Sequence, residues 1–383
     1  MSDPMKIVVH KYGGSSVKDV ASIHRVAQQI ATEHRSGTRV VVVVSAMGNT
    51  TNELLQLAQK VSASPGRREL DMLVSVGERI AMALLSMAIN ELGVPAVSFT
   101  GSQSGIITDE SHANAKVVAV RPHRVRAALE ANRVAIVAGF QGVSLAKEVT
   151  TLGRGGSDTT AVALAAALNA EWCEIHSDVP GVFSADPRVV PQAKQHDTLS
   201  LTEALNMARH GAKVLHAEAL AHALSEGIEI VSSAAHGTAP GSRIHIEEGP
   251  SRVTAIVADE QLERLSADPT GVLFRLLEEA DVSIRSVVDQ EILVDLRNWH
   301  DREGFEFPEG ASSIGLISEI SAVGIGIGSN LSLLQRASAA LSKAGIQWHS
   351  RRSQIDSLQW WISSDQSAEA QQVLHKTLIE SVQ

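Results

Sequence analysis

Apolar residues follow two alternating rhythms along the first part of this chain. Short apolar runs at Lys6–His10, Ala96–Phe99, Arg133–Ala138 and Trp172–His176 predict strands. Within Arg39–Ser45, Val40–Val44 form an unbroken valine run, the pattern of a parallel strand covered on both faces. Between the strands the spacing becomes helical: Val20, Ile23, Ala27, Ile30 and Ala31 share one face, and Ala161–Ala170 reads as a helix of small residues. Strand, turn and helix in alternation predict an α/β/α sandwich with a mostly parallel sheet. Ligands of such sheets bind at the carboxyl ends of the strands, where the Gly-rich turns lie.

The rhythm changes at Ile246-Glu-Glu-Gly-Pro-Ser251, a polar segment that reads as a linker. Beyond it a strand is expected at Val253–Ala258, a helix at Pro269–Ala280 and a strand at Val282–Val288. The order recurs as Ile320–Ile327, Leu331–Ala344 and Ile346 onward, which suggests two small α+β modules with antiparallel sheet. The chain therefore divides into residues 1–248 and 253–383.

Composition narrows the classes. With 383 residues, the chain exceeds one ordinary core. A net charge of −10 argues against a general nucleic-acid or membrane-surface binder. No apolar stretch is expected to span a bilayer, and no secretory leader pattern is visible at the start. The lone Cys173 fits a reducing compartment. These features together lead to the expectation of a cytoplasmic protein.

The densest chemistry lies in Thr150-Thr-Leu-Gly-Arg-Gly-Gly-Ser-Asp-Thr-Thr-Ala161. Gly155 and Gly156 allow tight turns, Ser157 has N-cap chemistry, Asp158 suits a first helical turn, and Arg154 adds charge. A helix start of this kind can hold a carboxylate or phosphate, or can be a plain capping turn. A second such element is Lys11-Tyr-Gly13-Gly14-Ser-Ser, between a strand and a helix, which can form a phosphate cradle with a lysine at its mouth or be a simple strand-to-helix turn with a solvated lysine. It is not a Walker A loop, whose lysine follows the glycines. Gly324-Ile-Gly-Ile-Gly-Ser lacks the final glycine of a dinucleotide loop and reads as a glycine-rich strand. Ser45 closes the valine strand, and Thr51 follows it. Glu78 can pair with a substrate ammonium or with Arg79. The Ser177–Arg188 loop can wrap a nucleotide or remain plain surface. His210, His216 and His222 lack helical ligand spacing, so no metal site is expected.

In order, Lys11-Tyr-Gly-Gly-Ser-Ser-Val, Val-Val-Ser45-Ala-Met-Gly, Gly77-Glu78, the Thr150–Ala161 stretch, Ser184-Ala-Asp-Pro-Arg188 and Gly211-Ala-Lys213-Val-Leu-His resemble aspartate kinase. The resemblance implies an amino-acid-kinase fold and phosphorylation of the β-carboxylate of L-aspartate by ATP with Mg²⁺. It further implies that 4-phospho-L-aspartate, the product, enters lysine, threonine and methionine synthesis. By that resemblance Lys11, Arg154 and Asp158 carry catalysis. Arg154 grips a carboxylate, Glu78 holds the α-ammonium, and Ser45, Thr51, Gly155, Gly156 and Ser157 surround the substrate. Lys11, Gly13, Gly14, Ser157, Ser177, Asp178, Phe183, Ser184, Asp186, Arg188 and Lys213 map onto nucleotide-binding positions. Departures are Asn52 for the usual aspartate, His176 for a common aromatic, and Ala217-Glu218 for Pro-Arg.

The last third resembles the tandem ACT modules of that family, which implies a homodimer and an amino-acid effector such as lysine or threonine. The Asp268-Pro-Thr-Gly271 turn is similar to an effector loop, whereas Asn298–Ser312 is short and polar and Ser350–Ile355 departs from the effector-facing pattern. An eroded pair that only supports dimerisation is the alternative, with Trp348, Trp360 and Trp361 as packing residues. For the whole chain, the alternatives are a kinase for another acceptor, such as acetylglutamate or a nucleotide, and a silent amino-acid-binding regulator. Glu78 and Arg154 argue against the first, and the retained Lys11, Asp158 and Lys213 against the second.

Overall fold

The computed structural model describes residues 6–236, 240–266, 271–280, 282–288, 290–299 and 302–382. The chain separates into two compact units. The first comprises residues up to Val182 together with Gln195–Ala208 and Lys213–Glu248. The second comprises Gly249 onward, and takes in Phe183–Lys194 and Arg209–Ala212, which a single linear cut would leave in the first.

In the first unit the valine run is the strand Arg39–Val44, with Val40 to Val44 fully buried. It pairs in parallel with Ile7–Tyr12 on one side and Val134–Ala138 on the other, which is why no polar residue is tolerated within it. Outward from these, the eight-stranded sheet continues through Ala96–Phe99 at one edge. Trp172–Ser177, Ile230–Ala234, Ser242–His245 and Thr198–Ser200 follow in order toward the other edge. Only Ile230–Ala234 and Ser242–His245 pair antiparallel. The helix Val20–Arg35 is capped by Asp19, whose side chain accepts from the Ser22 N–H at 2.7 Å. It buries Ile23, Ala27, Ile30 and Ala31 with the helix Val76–Glu91 against Val40, Val42 and Val44. Val20, expected on that face, is 64% exposed because it opens the helix beyond the sheet's cover. The apolar helix Gly156–Leu168 is almost wholly buried.

Two expectations shift in the first unit. The first strand runs on through Lys11 and Tyr12, so the lysine is held on a sheet rather than on a loop. The stretch Arg67–Glu91 is by length and composition apolar enough to cross a membrane, contrary to the reading from sequence. It is two helices meeting at Ser75, and Ala81, Leu85, Ala88 and Ile89 of the second lie in the core.

The second unit is built on one six-stranded sheet, in the order Ile284–Val288, Glu291–Asp295, Ala255–Ser266, Ser312–Val323, Ser357–Ser363, Trp348–Gln354. All its pairings are antiparallel, and the long strands Ala255–Ser266 and Ser312–Val323 join the two expected modules into a continuous sheet. Helices Val272–Glu279, Leu331–Lys343 and Ser367–Leu378 complete two cores. Trp360 and Trp361 are both fully buried, each in a different cluster, as neighbours on a strand must be. The segment after Asn298 is more apolar in place than its sequence suggests. Trp299 meets Phe305 edge-on at 4.9 Å, and Phe307 packs beside them. Gly324–Ser329 is a tight turn, not a strand: a Cβ at Gly324 would lie 1.8 Å from the Arg252 carbonyl oxygen, and one at Gly328 1.5 Å from that of Gln354. Residues 268–270 of the expected effector turn lie outside the described residues.

Candidate active site

The carboxyl ends of the central strands open onto one pocket in the first unit, of roughly 300 Å³. Lys11, Gly14, Ser45, Thr51, Glu78, Arg154, Gly155, Gly156, Ser157 and Asp158 all line it. Residues far apart in sequence converge there because parallel strands place their turns at one edge.

Lys11 projects from its strand so that Nζ lies 2.6 Å from Oδ1 of Asp158 in the first turn of the helix Gly156–Leu168. Gly13 lies two residues on, where a Cβ would come within 3.6 Å of that ammonium, an ordinary contact. At Gly14 the backbone approaches so closely that a Cβ would sit 2.8 Å from the Ala46 carbonyl oxygen, and Gly48 N–H donates to Gly14 O at 3.0 Å. The two Gly-bearing turns thus brace each other.

Ser157 does not cap the helix. Gly155 is the N-cap, at φ 71°, and no side chain caps the end; the Gly156 N–H donates to the Gly153 carbonyl at 3.1 Å, which leaves the next N–H groups, at Ser157 and Asp158, to face an anion. Ser157 sits inside the first turn, packed so near the end of Val134–Ala138 that a Cβ at Gly139 would lie 2.7 Å from its Oγ. Arg154 is exposed in the pocket wall and makes no ion pair among the described residues.

Glu78 is 3% exposed. Its Oε1 accepts the Ala46 N–H at 3.1 Å, but Oε2 is buried without a partner. Burial pushes this carboxyl up to about 7, partly offset by the backbone N–H groups it accepts from. Arg79, the alternative partner, donates instead to Gln141 at 3.2 Å. A buried carboxylate oxygen with nothing bonded to it, lining an open pocket, is suited to a cationic ligand group.

The nucleotide-mapped residues divide. Gly13, Ser177, Asp178 and Lys213 belong to the first unit without lining the pocket. Ser177 Oγ donates to the Val179 carbonyl, and Asp178 and Lys213 are exposed. Phe183, Ser184, Asp186 and Arg188 fall in the second unit. There Ser184 Oγ bonds His375 Nε2 at 2.9 Å, and Arg188 pairs with Asp186 in two bonds of 3.0 and 2.7 Å. Asn52 is exposed and donates to Asn49 Oδ1 at 2.6 Å. Phe140, Gly48 and His216 line the pocket without having been singled out as site residues. Phe140 could have been found from its place just beyond a buried strand end, where its φ of 65° bends the chain into the pocket.

The profile of the amino acid kinase family matches residues 6–231. The aspartokinase of Mycolicibacterium smegmatis is 49% identical over 298 residues, spanning 74% of this chain and 70% of that protein. The aspartokinase of Geobacillus stearothermophilus is 38% identical over 368 residues, 90% of each chain. Escherichia coli aspartokinase III, solved with aspartate and ADP, superposes with a TM-score of 0.80 at 22% identity, covering 97% of this chain and 100% of that one; at that identity the likeness speaks for the fold.

Proposed function

Because the chain belongs to the amino acid kinase family, and within it to the aspartokinases, it phosphorylates L-aspartate with ATP, and we propose that the pocket around Lys11 and Glu78 performs the transfer. A β-carboxylate oxygen of aspartate attacks the γ-phosphorus of ATP. The new P–O bond gives 4-phospho-L-aspartate, and the β,γ-bridging oxygen leaves with ADP. An ionised carboxylate is already a nucleophile, so the site needs alignment and charge neutralisation rather than a strong base.

Glu78 is the observation that carries this reading. Its partnerless Oε2 receives the α-ammonium, which favours a free amino acid over an N-acylated acceptor. Arg154 grips a substrate carboxylate with its planar fork of donors. Ser45 and Thr51 close over the acceptor. Lys11, fixed by Asp158, faces the transferring phosphoryl group together with the N–H groups at Gly13, Gly14, Gly155 and Ser157. Ser177, Asp178 and Lys213 serve the nucleotide, whereas Phe183, Ser184, Asp186 and Arg188 are engaged within the second unit and no nucleotide role is proposed for them. Mg²⁺ would be held mainly by the ATP phosphates and water and would supply further positive charge there, with Asp158, the pocket carboxylate beside Lys11, orienting the lysine or the ion.

The second unit is proposed as the effector-binding and dimer-forming part, responding to lysine or threonine, and the product as the entry to lysine, threonine and methionine synthesis. Cys173, buried and free, fits a cytoplasmic setting. An ATP-hydroxylamine assay with L-aspartate, L-glutamate and acetylglutamate tests the reading. Hydroxamate from aspartate alone is expected. Turnover of acetylglutamate would remove the ammonium role of Glu78, and no hydroxamate from any acceptor would overturn the kinase reading.

A further inference from the structure

Successive residues of a strand face opposite ways, so Lys11 reaches the pocket while His10 points to the other face of the sheet. There, in the first unit, His10 meets Glu174 and His176 of the neighbouring strand, with the two histidines 4% and 8% exposed. His10 Nδ1 lies 3.0 Å from His176 Nε2 and 3.7 Å from Glu174 Oε2. The three ligand atoms all fall within 4.8 Å of one another. A tetrahedral ion with bonds of about 2.0–2.2 Å separates its donors by about 3.3 Å, between those two distances.

The outer nitrogens bear on which lone pairs face inward. His10 Nε2 is 2.8 Å from Glu33 Oε2; with its hydrogen on Nε2 the ring turns a bare Nδ1 inward, whereas as an imidazolium it would donate from Nδ1 to His176. Ser233 donates its single hydrogen to Glu174 Oε1 at 2.7 Å, so at 2.9 Å it accepts from His176 Nδ1. His176 therefore presents a bare Nε2. Across 3.0 Å the two inner nitrogens can share either a proton, as a hydrogen bond, or a cation that both lone pairs coordinate. The remote nitrogen of each imidazole lies beside a carboxylate or a hydroxyl, the kind of outer shell that orients metal-bound histidines. Tyr12 stacks on His176 at 4.2 Å and 10°, which fixes that ring further.

We propose that His10, His176 and Glu174 form a binding site for a borderline divalent cation of the zinc class, with water completing the coordination. Two imidazoles select such an ion over Mg²⁺, so the site is distinct from the metal that accompanies ATP. The ion would clamp the strands Ile7–Tyr12 and Trp172–Ser177 just before the turns at Gly13 and Asp178.

The test is a Co²⁺ titration of the chelator-stripped full chain, followed by visible absorption and by competition with Zn²⁺. One Co²⁺ per chain is expected, with the intense bands of a four-coordinate ion, displaced by Zn²⁺. His10→Gln and His176→Phe should each weaken binding at least tenfold while leaving Mg²⁺-dependent aspartate phosphorylation within twofold of the parent. Should either variant fail to fold by circular dichroism, Glu174→Gln, which can still accept from Ser233, must show the same tenfold loss. Absence of stoichiometric Co²⁺ uptake, six-coordinate spectra, or affinity unchanged by the substitutions would each overturn the proposal.

Discussion

Lys11 Nζ and Asp158 Oδ1 lie 2.6 Å apart, joining a central strand to the first turn of the helix that faces the pocket. The pair sets where the ammonium stands at the pocket wall. Asp158→Asn keeps the shape but releases the lysine. A misplaced charge of this kind should lower kcat about 10²-fold with a smaller effect on KM for aspartate. Steady-state kinetics with both substrates varied would check this; a change confined to KM would mean that Asp158 serves binding only.

Glu78 makes the site sensitive to pH. Its carboxyl titrates at about 7 in the folded chain against an ordinary value of 4.5. The folded chain therefore holds a proton that the unfolded chain has released. The stability this provides is complete below about pH 4.5 and is lost as pH rises through 7, by about 3 kcal/mol in all. Aspartate binding works the other way, because an incoming ammonium favours the ionised carboxylate. KM for aspartate should fall as pH rises from about 6 to 8, and Glu78→Gln should flatten both profiles while raising KM. Urea melts and KM measurements across that range provide the check, and a pH-independent KM in the parent would contradict the assignment.

Gly155 is required by its backbone and by its neighbour. At φ 71°, a Cβ there would lie 2.3 Å from Cγ of His216. Gly155→Ala should cost about 1–3 kcal/mol and weaken aspartate binding, since the anion-facing N–H groups shift with it. His216→Gly, which removes the Cβ at 2.5 Å as well as Cγ, should recover the part due to the clash but not the part due to φ. A double-mutant cycle by denaturant melting measures the split; strict additivity of the two substitutions would show that the contact is not the cause.

The sheet was legible because burial on both faces leaves a direct mark, as in Val40–Val44. The pocket was legible because glycines, Lys11, Arg154 and Asp158 cluster in short runs beside strand ends. What sequence left hidden depends on contacts between distant segments. The capping role of Gly155 rather than Ser157 follows from a backbone angle. The turn at Gly324–Ser329 follows from close passage of Arg252 and Gln354. Phe183–Arg188 look like part of the nucleotide site in a linear reading, yet they pack with the second unit through Ser184 and His375. The meeting of His10 with His176 needs the pairing of two strands distant in the chain, which no local spacing reports.

The central claim is that Lys11 neutralises charge on the transferring phosphoryl group, and the kcat of Lys11→Met measures it most directly. At saturating ATP and aspartate, the account predicts a loss of about 10²- to 10³-fold, with KM for ATP within threefold of the parent and an unchanged melting profile. A well-folded Lys11→Met that keeps its kcat within tenfold would contradict it.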